Sequence, residues 1–347
     1  MSTIAVNAIT DANGGSTTTI NGTTPNAYNT VGKNLIINGN MRIDQRNAGS
    51  AFTMTTDGQY TLDRWSTRTY GGSGRFSTQQ SSTAPAGFDT SALLTVTTTE
   101  NSGSYGYAIG QRLEGNTIAH LNWGTNDAKD VTLSFWVRSS VTGIYCVSFR
   151  PYNGTYSYVS EVTISSADTW EKKTITVTGP TVGTWVNDNA GAVLIDITLG
   201  SQTSKETATT DSWQSGNYVS TANQADWMGT SGATFYLTGV QLEVGESATE
   251  FEHRPYTIEE QLCFRYYELH SPVDVNSVIW SSYGATYNYV TWHFKVPKRT
   301  TPSLSGSYMG TVDNLTPYSV NSYSSGSSYA GFGYNGGYGN AIVDAEL

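Results

Sequence analysis

Apolar and polar residues alternate with a period of two along most of residues 34–250, and Gly, Asn and Ser interrupt the alternation at short intervals. Between Val131 and Val177, for example, apolar side chains at every second position would share one face of each strand. Many short antiparallel strands joined by turns are typical of a β-sandwich. We therefore predict an all-β fold, with an antiparallel jelly-roll β-sandwich over residues 34–256.

One long predicted strand changes parity partway along its length. Phe235 and Leu237 fall on one face, whereas Val240 and Leu242 would fall on the other face of a regular strand. Gly239 lies between the two pairs and predicts a β-bulge that resets the face.

A single short connecting helix is predicted, over residues 257–270. Pro255 precedes it, and Thr257 with Glu260 fits a capping box in which hydroxyl and carboxylate satisfy backbone donors. Its apolar stripe would either pack on the sandwich or contact another subunit. The candidate subunit-contact residues are Ile258, Leu262, Tyr266 and Leu269.

Residues 271–347 are predicted to form a small β-rich C-terminal tip domain. A hairpin around Gly284 is indicated by residues 275–283 and 286–296. Residues 305–340 are rich in Gly, Ser and Tyr and poor in aliphatic side chains, so they must pack on the hairpin or on partner chains.

The N-terminal residues 1–33 are rich in Thr, Asn and Gly and contain few apolar positions. They bury too little surface to fold alone, so they form either a disordered tail or an arm that docks on another protein, and we favour the arm. No signal peptide and no apolar run long enough for a bilayer is present, so we expect synthesis in the cytoplasm and no membrane insertion.

The composition argues against one class of partner and describes the state of the cysteines. Charged residues make up 13% of the chain and the formal net charge is −10, which argues against nucleic acid as a ligand. Cys146 and Cys263 fall in apolar runs and are expected to be two buried thiols.

Three stretches resemble a domain of bacteriophage tail-fibre and related virion proteins. NLIINGNMRIDQRNAGSAFT (34–53) with YTLDRW (60–65) is similar to its start, GVQLEVGESATEFEHRPYTIEEQLCFRYYE (239–268) to its end, and DAEL (344–347) to a common ending of such chains. The resemblance implies a jelly-roll domain like that of carbohydrate-binding modules, attachment to a virion, a homotrimer, and contact between residues 1–33 and other tail or capsid proteins.

The motif residues also have structural interpretations. Asp63, Arg64 and Trp65 predict an ion pair and a core tryptophan, while Gln241 and Glu243 are predicted to share one face of a strand. Glu243 is alternatively placed to complete a calcium site, since hard cations take carboxylate oxygens. Because no D-x-D-x-D loop is present, we expect no cofactor and no metal.

No catalytic constellation is recognisable. None of the four His residues lies near a G-x-S-x-G turn, so no catalytic residue is assigned and no enzymatic activity is expected. A glycan hydrolase would need two carboxylates in one cleft. The available acids are Glu114, Asp127, Asp130, Glu161, Asp211 and Asp226.

Aromatic residues are the remaining candidates for recognition. Tyr and Trp offer large contact areas at low entropic cost, and Ser and Gly offer adaptable hydrogen bonds. Trp136, Trp185, Trp213 and Trp227 would either fill the core or stack on sugar rings. The tip aromatics would either pack together or bind a receptor, and the receptor-binding candidates are Tyr318, Tyr323, Tyr329, Phe332, Tyr334 and Tyr338.

The leading hypothesis is a phage tail fibre or receptor-binding protein, located in the virion, that attaches to a host surface glycan or protein. A capsid decoration or head fibre of the same architecture is the alternative. A host-glycan hydrolase is the third hypothesis.

Overall fold

The computed structural model describes residues 32–101, 103, 105–270, 278–283, 287–306, 311–325 and 341–347. Twenty strands and two α-helices follow one another in the described ranges. They are β1 Phe52–Thr53, β2 Tyr60–Leu62, β3 Trp65–Thr69, β4 Arg75–Ser81, β5 Ser91–Thr98, β6 Tyr107–Glu114, α1 Gly115–Ile118, β7 Val131–Ser139, β8 Gly143–Pro151, β9 Tyr156–Ile164, β10 Glu171–Val177, β11 Gly191–Gly200, β12 Trp213–Ser215, β13 Thr234–Val244, α2 Tyr256–Phe264, β14 Tyr267–His270, β15 Val278–Tyr283, β16 Tyr287–His293, β17 Ser303–Gly306, β18 Thr311–Leu315, β19 Ser319–Ser325 and β20 Ala341–Asp344.

Two antiparallel sheets form a sandwich. One has six strands in the order β1-β4-β5-β13-β7-β10, and the other has seven in the order β12-β9-β8-β11-β6-β3-β2. Some neighbours in each sheet are consecutive, such as β4 with β5, but others are distant in sequence, such as β5 with β13 and β6 with β11, as expected when a jelly roll alternates between its two layers. The prediction of an all-β jelly-roll sandwich is confirmed.

The alternation of apolar residues fills the space between the sheets. On β7 the residues of one parity, from Val131 to Val137, are at most 1% exposed and belong to the main hydrophobic core. Cys146 and Cys263 are both buried free thiols, as predicted.

The predicted bulge in β13 is confirmed. Gly239 has a φ of +61°, and the register between β13 and β7 shifts between Thr238 and Gln241. Because the bulge adds a residue, Leu237 and Leu242 both point into the core. A Cβ on Gly239 would lie 2.6 Å from the Phe88 ring, so the position requires glycine.

The prediction of a helix through residue 270 is wrong in its C-terminal part. Helix α2 ends at Phe264, and after a two-residue turn the chain forms strand β14, which pairs with β20. The capping box is also absent, because Pro255 is the N-cap residue and no side chain caps the helix. Long-range strand pairing overrides the local helical pattern here.

Two small sheets follow the sandwich. The first has the order β14-β20-β17, and the second has the order β15-β16-β19-β18. The predicted hairpin is confirmed by the pairing of β15 with β16, and a small core contains Trp292, Phe294, Val320 and Val343. Since β14 and β20 are adjacent strands, residues 271–340 begin and end at one sheet, to which they also contribute β17.

The predicted docking arm lies almost entirely outside the described residues. Gly32 and Lys33, at its end, are bonded to residues 249–252 beside the sandwich. In the ranges that the structure describes, no helix has the length and apolarity that a bilayer span requires.

Candidate ligand-binding surfaces

The stretches that carry the family resemblance meet in one buried region, which we call the motif junction and define as residues 34–46, 63–65, 241–268 and 344–347. Asn34 is a central member: its Oδ1 accepts hydrogen bonds from the backbone N–H groups of Ile36 and Leu242 at 3.0 and 3.1 Å. Its Nδ2 donates to the Val240 carbonyl at 3.1 Å. One asparagine thus joins the beginning of the domain to its last long strand.

Asn38 has a similar structural role four residues later. It has a φ of +56°, and its Nδ2 donates to the carbonyl groups of Ile43 and Asp63 at 2.8 and 3.0 Å. Its own carbonyl accepts a hydrogen bond from the Trp65 indole at 2.9 Å, which fixes the predicted core tryptophan. Its N–H is bound by the buried carboxylate of Glu259 on α2.

The ion pair expected within residues 63–65 is made with a distant partner. Arg64 is 1% exposed, pairs with Glu346, and lies over the Tyr266 ring at 3.5 Å. Burial would lower the pKa of Arg64, but the Glu346 carboxylate and neighbouring groups such as Tyr266 together outweigh burial and raise that pKa. Asp63 instead accepts two hydrogen bonds from Gln45, and burial raises the pKa of Asp63 to about 6.

Gln241 and Glu243 share one face of β13, as predicted, and Gln241 Nε2 donates to Glu243 Oε1 at 2.8 Å. Both oxygens of Glu243 also accept hydrogen bonds from Thr249. Both carboxylate oxygens of Glu243 are therefore already hydrogen-bonded within the protein. Among the described residues, no group of three or more His, Cys, Asp or Glu side chains is arranged to hold a metal ion.

The four candidate subunit-contact residues are placed differently from one another. Ile258 is 48% exposed on α2, whereas Tyr266 is 2% exposed and donates a hydrogen bond to Glu114 at 2.8 Å. Leu262 is half-buried against the Tyr266 cluster, and Leu269 is half-buried on β14. Contact with a second subunit stays a prediction, for which Ile258 offers the exposed surface.

The tip aromatics fall partly within the described residues. Tyr318 occupies the turn between β18 and β19 and is 64% exposed. Tyr323 belongs to β19. The other candidates, Tyr329, Phe332, Tyr334 and Tyr338, lie outside the described residues. Receptor binding by these six side chains stays a prediction.

The four candidate tryptophans differ in how deeply they are buried. Trp227 is completely buried in the main core, and Trp136 is half-buried beside Gly239. Trp185 and Trp213 are half-buried and pack edge to face with Trp123, with ring centroids 4.9 to 5.7 Å apart. This trio forms a single aromatic cluster at the border of the core.

A cavity of about 240 Å³, which we call the tryptophan cavity, opens beside that cluster. Its wall combines two indole rings with aliphatic and amide side chains. The lining residues are Ile118, Ala119, Asn122, Trp123, Thr125, Trp185, Val186 and Asn187. The sequence indicated Trp185, but not the approach of residues 118–125 to residues 185–187.

A larger cavity of about 540 Å³, which we call the carboxylate pocket, has a mostly polar wall. Glu161 on β9 accepts hydrogen bonds from Thr221 and Asn223. Glu206 also lines it, and neither carboxylate is ion-paired with the lysines and arginines that the structure describes. The lining residues are Glu161, Thr203, Glu206, Thr207, Ala208, Thr210, Thr221, Ala222 and Asn223.

Glu161 is among the acids that the sequence offers as candidates, whereas Glu206 is not. The Thr-rich run at 203–210 was the available signal, although nothing local shows that it faces β9. Two of the other acids are occupied elsewhere: Glu114 pairs with Arg265 at 2.6 Å, and Asp211 accepts a hydrogen bond from Ser160 at 2.6 Å.

No protein-family model matches the chain, and no curated protein matches it. Solved structures with a similar fold include a putative sugar-binding protein from Bacteroides thetaiotaomicron, with 14% identity and a TM-score of 0.36 over 61% of this chain and 100% of that one. A family 11 carbohydrate-binding module of Clostridium thermocellum shows 11% identity and a TM-score of 0.30 over 58% and 99% of the two chains. The enzymatically active domain of tailspike protein 4 of bacteriophage CBA120 shows 12% identity and a TM-score of 0.31. The matched region covers 52% of this chain and 19% of the tailspike chain.

Proposed function

We propose that this chain is a bacteriophage virion fibre protein that attaches the particle to a glycan on the host surface. The observation that carries the proposal is the motif junction. The stretches that resemble virion fibre proteins are distant in sequence, yet their polar side chains join them through hydrogen bonds to the backbone and an ion pair. The resemblance therefore extends over a connected structural unit.

The insertion of the tip supports the same role. Residues 271–340 begin and end at neighbouring strands, as an insertion between two paired strands does. Recognition surfaces that must match different receptors are commonly carried by such exposed segments on a rigid scaffold. Tyr318 presents its ring in a tight turn there, and a tyrosine can stack on a sugar while its hydroxyl forms a hydrogen bond.

The carboxylate pocket supports a sugar as ligand. Carboxylate oxygens accept hydrogen bonds from sugar hydroxyls, and the threonine hydroxyls of the wall can both donate and accept. Its volume of about 540 Å³ is within the usual range of ligand sites, roughly 300–1,000 Å³.

Immunogold electron microscopy of particles purified from cells that produce this chain tests the assignment. An antibody against the purified chain is expected to label the tail, and labelling of the capsid would favour the decoration protein. An absence of label on intact particles, with the chain detected only in the lysate, would overturn the virion assignment.

A homotrimer belongs to the same proposal. Weak sugar contacts gain residence time when several copies bind at once, and closed symmetry supplies those copies. Light scattering of the full chain at micromolar concentration is expected to report three chains. A stable monomer would contradict the trimer.

A glycan hydrolase is the second candidate, favoured only by the presence of Glu161 and Glu206 in one pocket. Incubation with host polysaccharide followed by a reducing-sugar assay separates the two candidates. We expect no release. Release that Glu161→Gln or Glu206→Gln abolishes would establish the hydrolase instead.

A further inference from the structure

We propose that the tryptophan cavity is a second sugar site, which binds one neutral pyranose ring independently of the tip. Trp185 would provide the stacking surface, and Asn122 and Asn187 would bind the ring hydroxyls. The inference depends on the proposed function only for the source of the sugar.

The indole rings are already held in place. Trp123 Nε1 donates to the Lys129 carbonyl at 2.8 Å, and Trp185 Nε1 donates to the Val182 carbonyl at 3.2 Å. Edge-to-face packing between these rings, with centroids 4.9 Å apart, restrains them further. A rigid aromatic wall loses little entropy when a ligand binds, which favours stacking of the apolar face of a sugar ring.

The two amides at this wall are available to a ligand. Asn122 and Asn187 are exposed, and in the described part of the chain neither side chain forms a hydrogen bond. This contrasts with Asn34 and Asn38, whose side-chain oxygen and nitrogen atoms are all hydrogen-bonded to the backbone. Each free amide offers a donor and an acceptor, which matches adjacent hydroxyl groups of a pyranose.

The size and charge of the cavity define the ligand class. A volume of about 240 Å³ is just below the usual range of ligand sites, roughly 300–1,000 Å³, so a single ring fits better than an oligosaccharide. None of the eight lining side chains is ionisable. A neutral sugar ring is therefore favoured over a sialic or uronic acid, whose carboxylate would find no cation among the lining side chains.

The exposed surface around the cavity also agrees with a ligand site. Val182 and Val186 are 48% and 36% exposed beside Trp185. Apolar side chains clustered around a cavity with a few polar groups are the usual wall of a small-molecule site.

Calorimetric titration of the intact chain with the methyl glycosides of glucose, galactose, mannose, N-acetylglucosamine and N-acetylgalactosamine tests the proposal. At least one of these is expected to bind with millimolar affinity. Asn187→Ala should weaken that binding about tenfold, the effect of losing one or two hydrogen bonds. Ala119→Phe, which fills the cavity from an exposed position, should abolish it.

Ala167→Phe adds the same ring at an exposed turn away from the cavity and serves as the matched control. Unchanged binding in Ala119→Phe, or no binding of any glycoside by the folded wild-type chain, would overturn the proposal. A preference for methyl glucuronide over methyl glucoside would overturn the neutral-ligand assignment. The titration uses the isolated chain, so its result is separate from the outcome of particle labelling.

Discussion

Polar side chains are buried and hydrogen-bonded in the motif junction, whereas in the tryptophan cavity they are exposed. In the junction, Asn34, Asn38 and Glu243 are buried and their polar atoms are hydrogen-bonded within the protein, Asn34 to the distant strand β13 and the other two to nearby segments. In the cavity, Asn122 and Asn187 face outward with no partner in the described chain. Buried polar groups specify a fold only when they are satisfied, whereas free polar groups beside an aromatic ring are suited to a ligand.

The difference teaches that the most recognisable residues of this chain are structural. Arg64 and Glu346 contribute to holding the sandwich and the C-terminal strand together. Their residue types are therefore required by the fold. Binding is expected where the sequence is least distinctive. Four variants test this contrast, from the largest expected effect to the smallest.

Removing Arg64 is expected to have the largest effect on stability. Arg64→Ala leaves the buried Glu346 carboxylate paired with Arg46 but no longer with Arg64, and it empties a fully buried site beside the Tyr266 ring. The weakened ion pair and the cavity together are expected to cost about 3–5 kcal/mol. Chemical denaturation should show this loss in the free energy of unfolding. Lys172→Ala, at an exposed position without an ion pair to any described residue, is the control. A loss below about 1 kcal/mol for Arg64→Ala would contradict the role of the junction.

Gly39 tests the close approach of the first motif to β13. A Cβ there would lie 2.1 Å from the Val240 carbonyl oxygen, which is backbone and cannot move aside. Gly39→Ala is therefore expected to cost about 2–4 kcal/mol, in the range of severe packing errors. Gly87→Ala, which has open space but a φ of +90°, should cost only about 1–2 kcal/mol from backbone strain. Equal losses in the two variants would show that contact with β13 does not matter.

Glu268 on β14 is bonded to the tip, and its ionisation is expected to make the stability of the fold depend on pH. Burial would raise the pKa of Glu268, but the hydrogen bond from His270 and the charge of Lys298 outweigh it and lower that pKa below the usual 4.5. The ionised form thus stabilises the fold above pH 4.5, and this contribution is lost as the pH falls through the lowered value. Thermal melting from about pH 3 to about pH 7 should show a steeper acid loss for the wild type than for Glu268→Gln. Parallel curves would contradict this prediction.

Tyr318 tests the exposed end of the comparison and should have the smallest effect on stability. Because its ring is 64% exposed, Tyr318→Ser should change the free energy of unfolding by less than about 0.5 kcal/mol. Binding of the labelled chain to host cells is expected to fall severalfold, since an aromatic contact contributes about 1 kcal/mol per site. Tyr236→Ser, a half-buried tyrosine of the sandwich, is the control for loss of a ring. Unchanged cell binding would remove Tyr318 from the candidate site.

The sandwich was predictable because its strands are indicated by patterns within short stretches of sequence. Alternation along β7 and the parity change at Gly239 required no knowledge of the partner strand. The end of α2 was not predictable, because Tyr266 and Leu269 fit a helical stripe while the pairing of β14 with β20 is specified far later in the chain. Tertiary hydrogen bonds decided the buried face of the helix in the same way, through Glu259 and Asn38.

The candidate site was less predictable than the fold. Trp185 was identifiable as an aromatic residue in a polar stretch, but its neighbours in the cavity come from a segment much earlier in the chain. Glu206 had no distinguishing local context. Cavities are created by the approach of distant loops, and a period-two pattern does not describe that approach.

Cell binding and thermal stability, measured together on the purified full chain, test most directly whether recognition is separate from the motif junction. We predict that Tyr318→Ser and Ala119→Phe reduce binding to host cells while the melting temperature stays within about 2 °C of the wild type, as expected for surface changes. Arg64→Ala should lower the melting temperature by many degrees. Full cell binding by a chain that carries both surface substitutions would contradict the account.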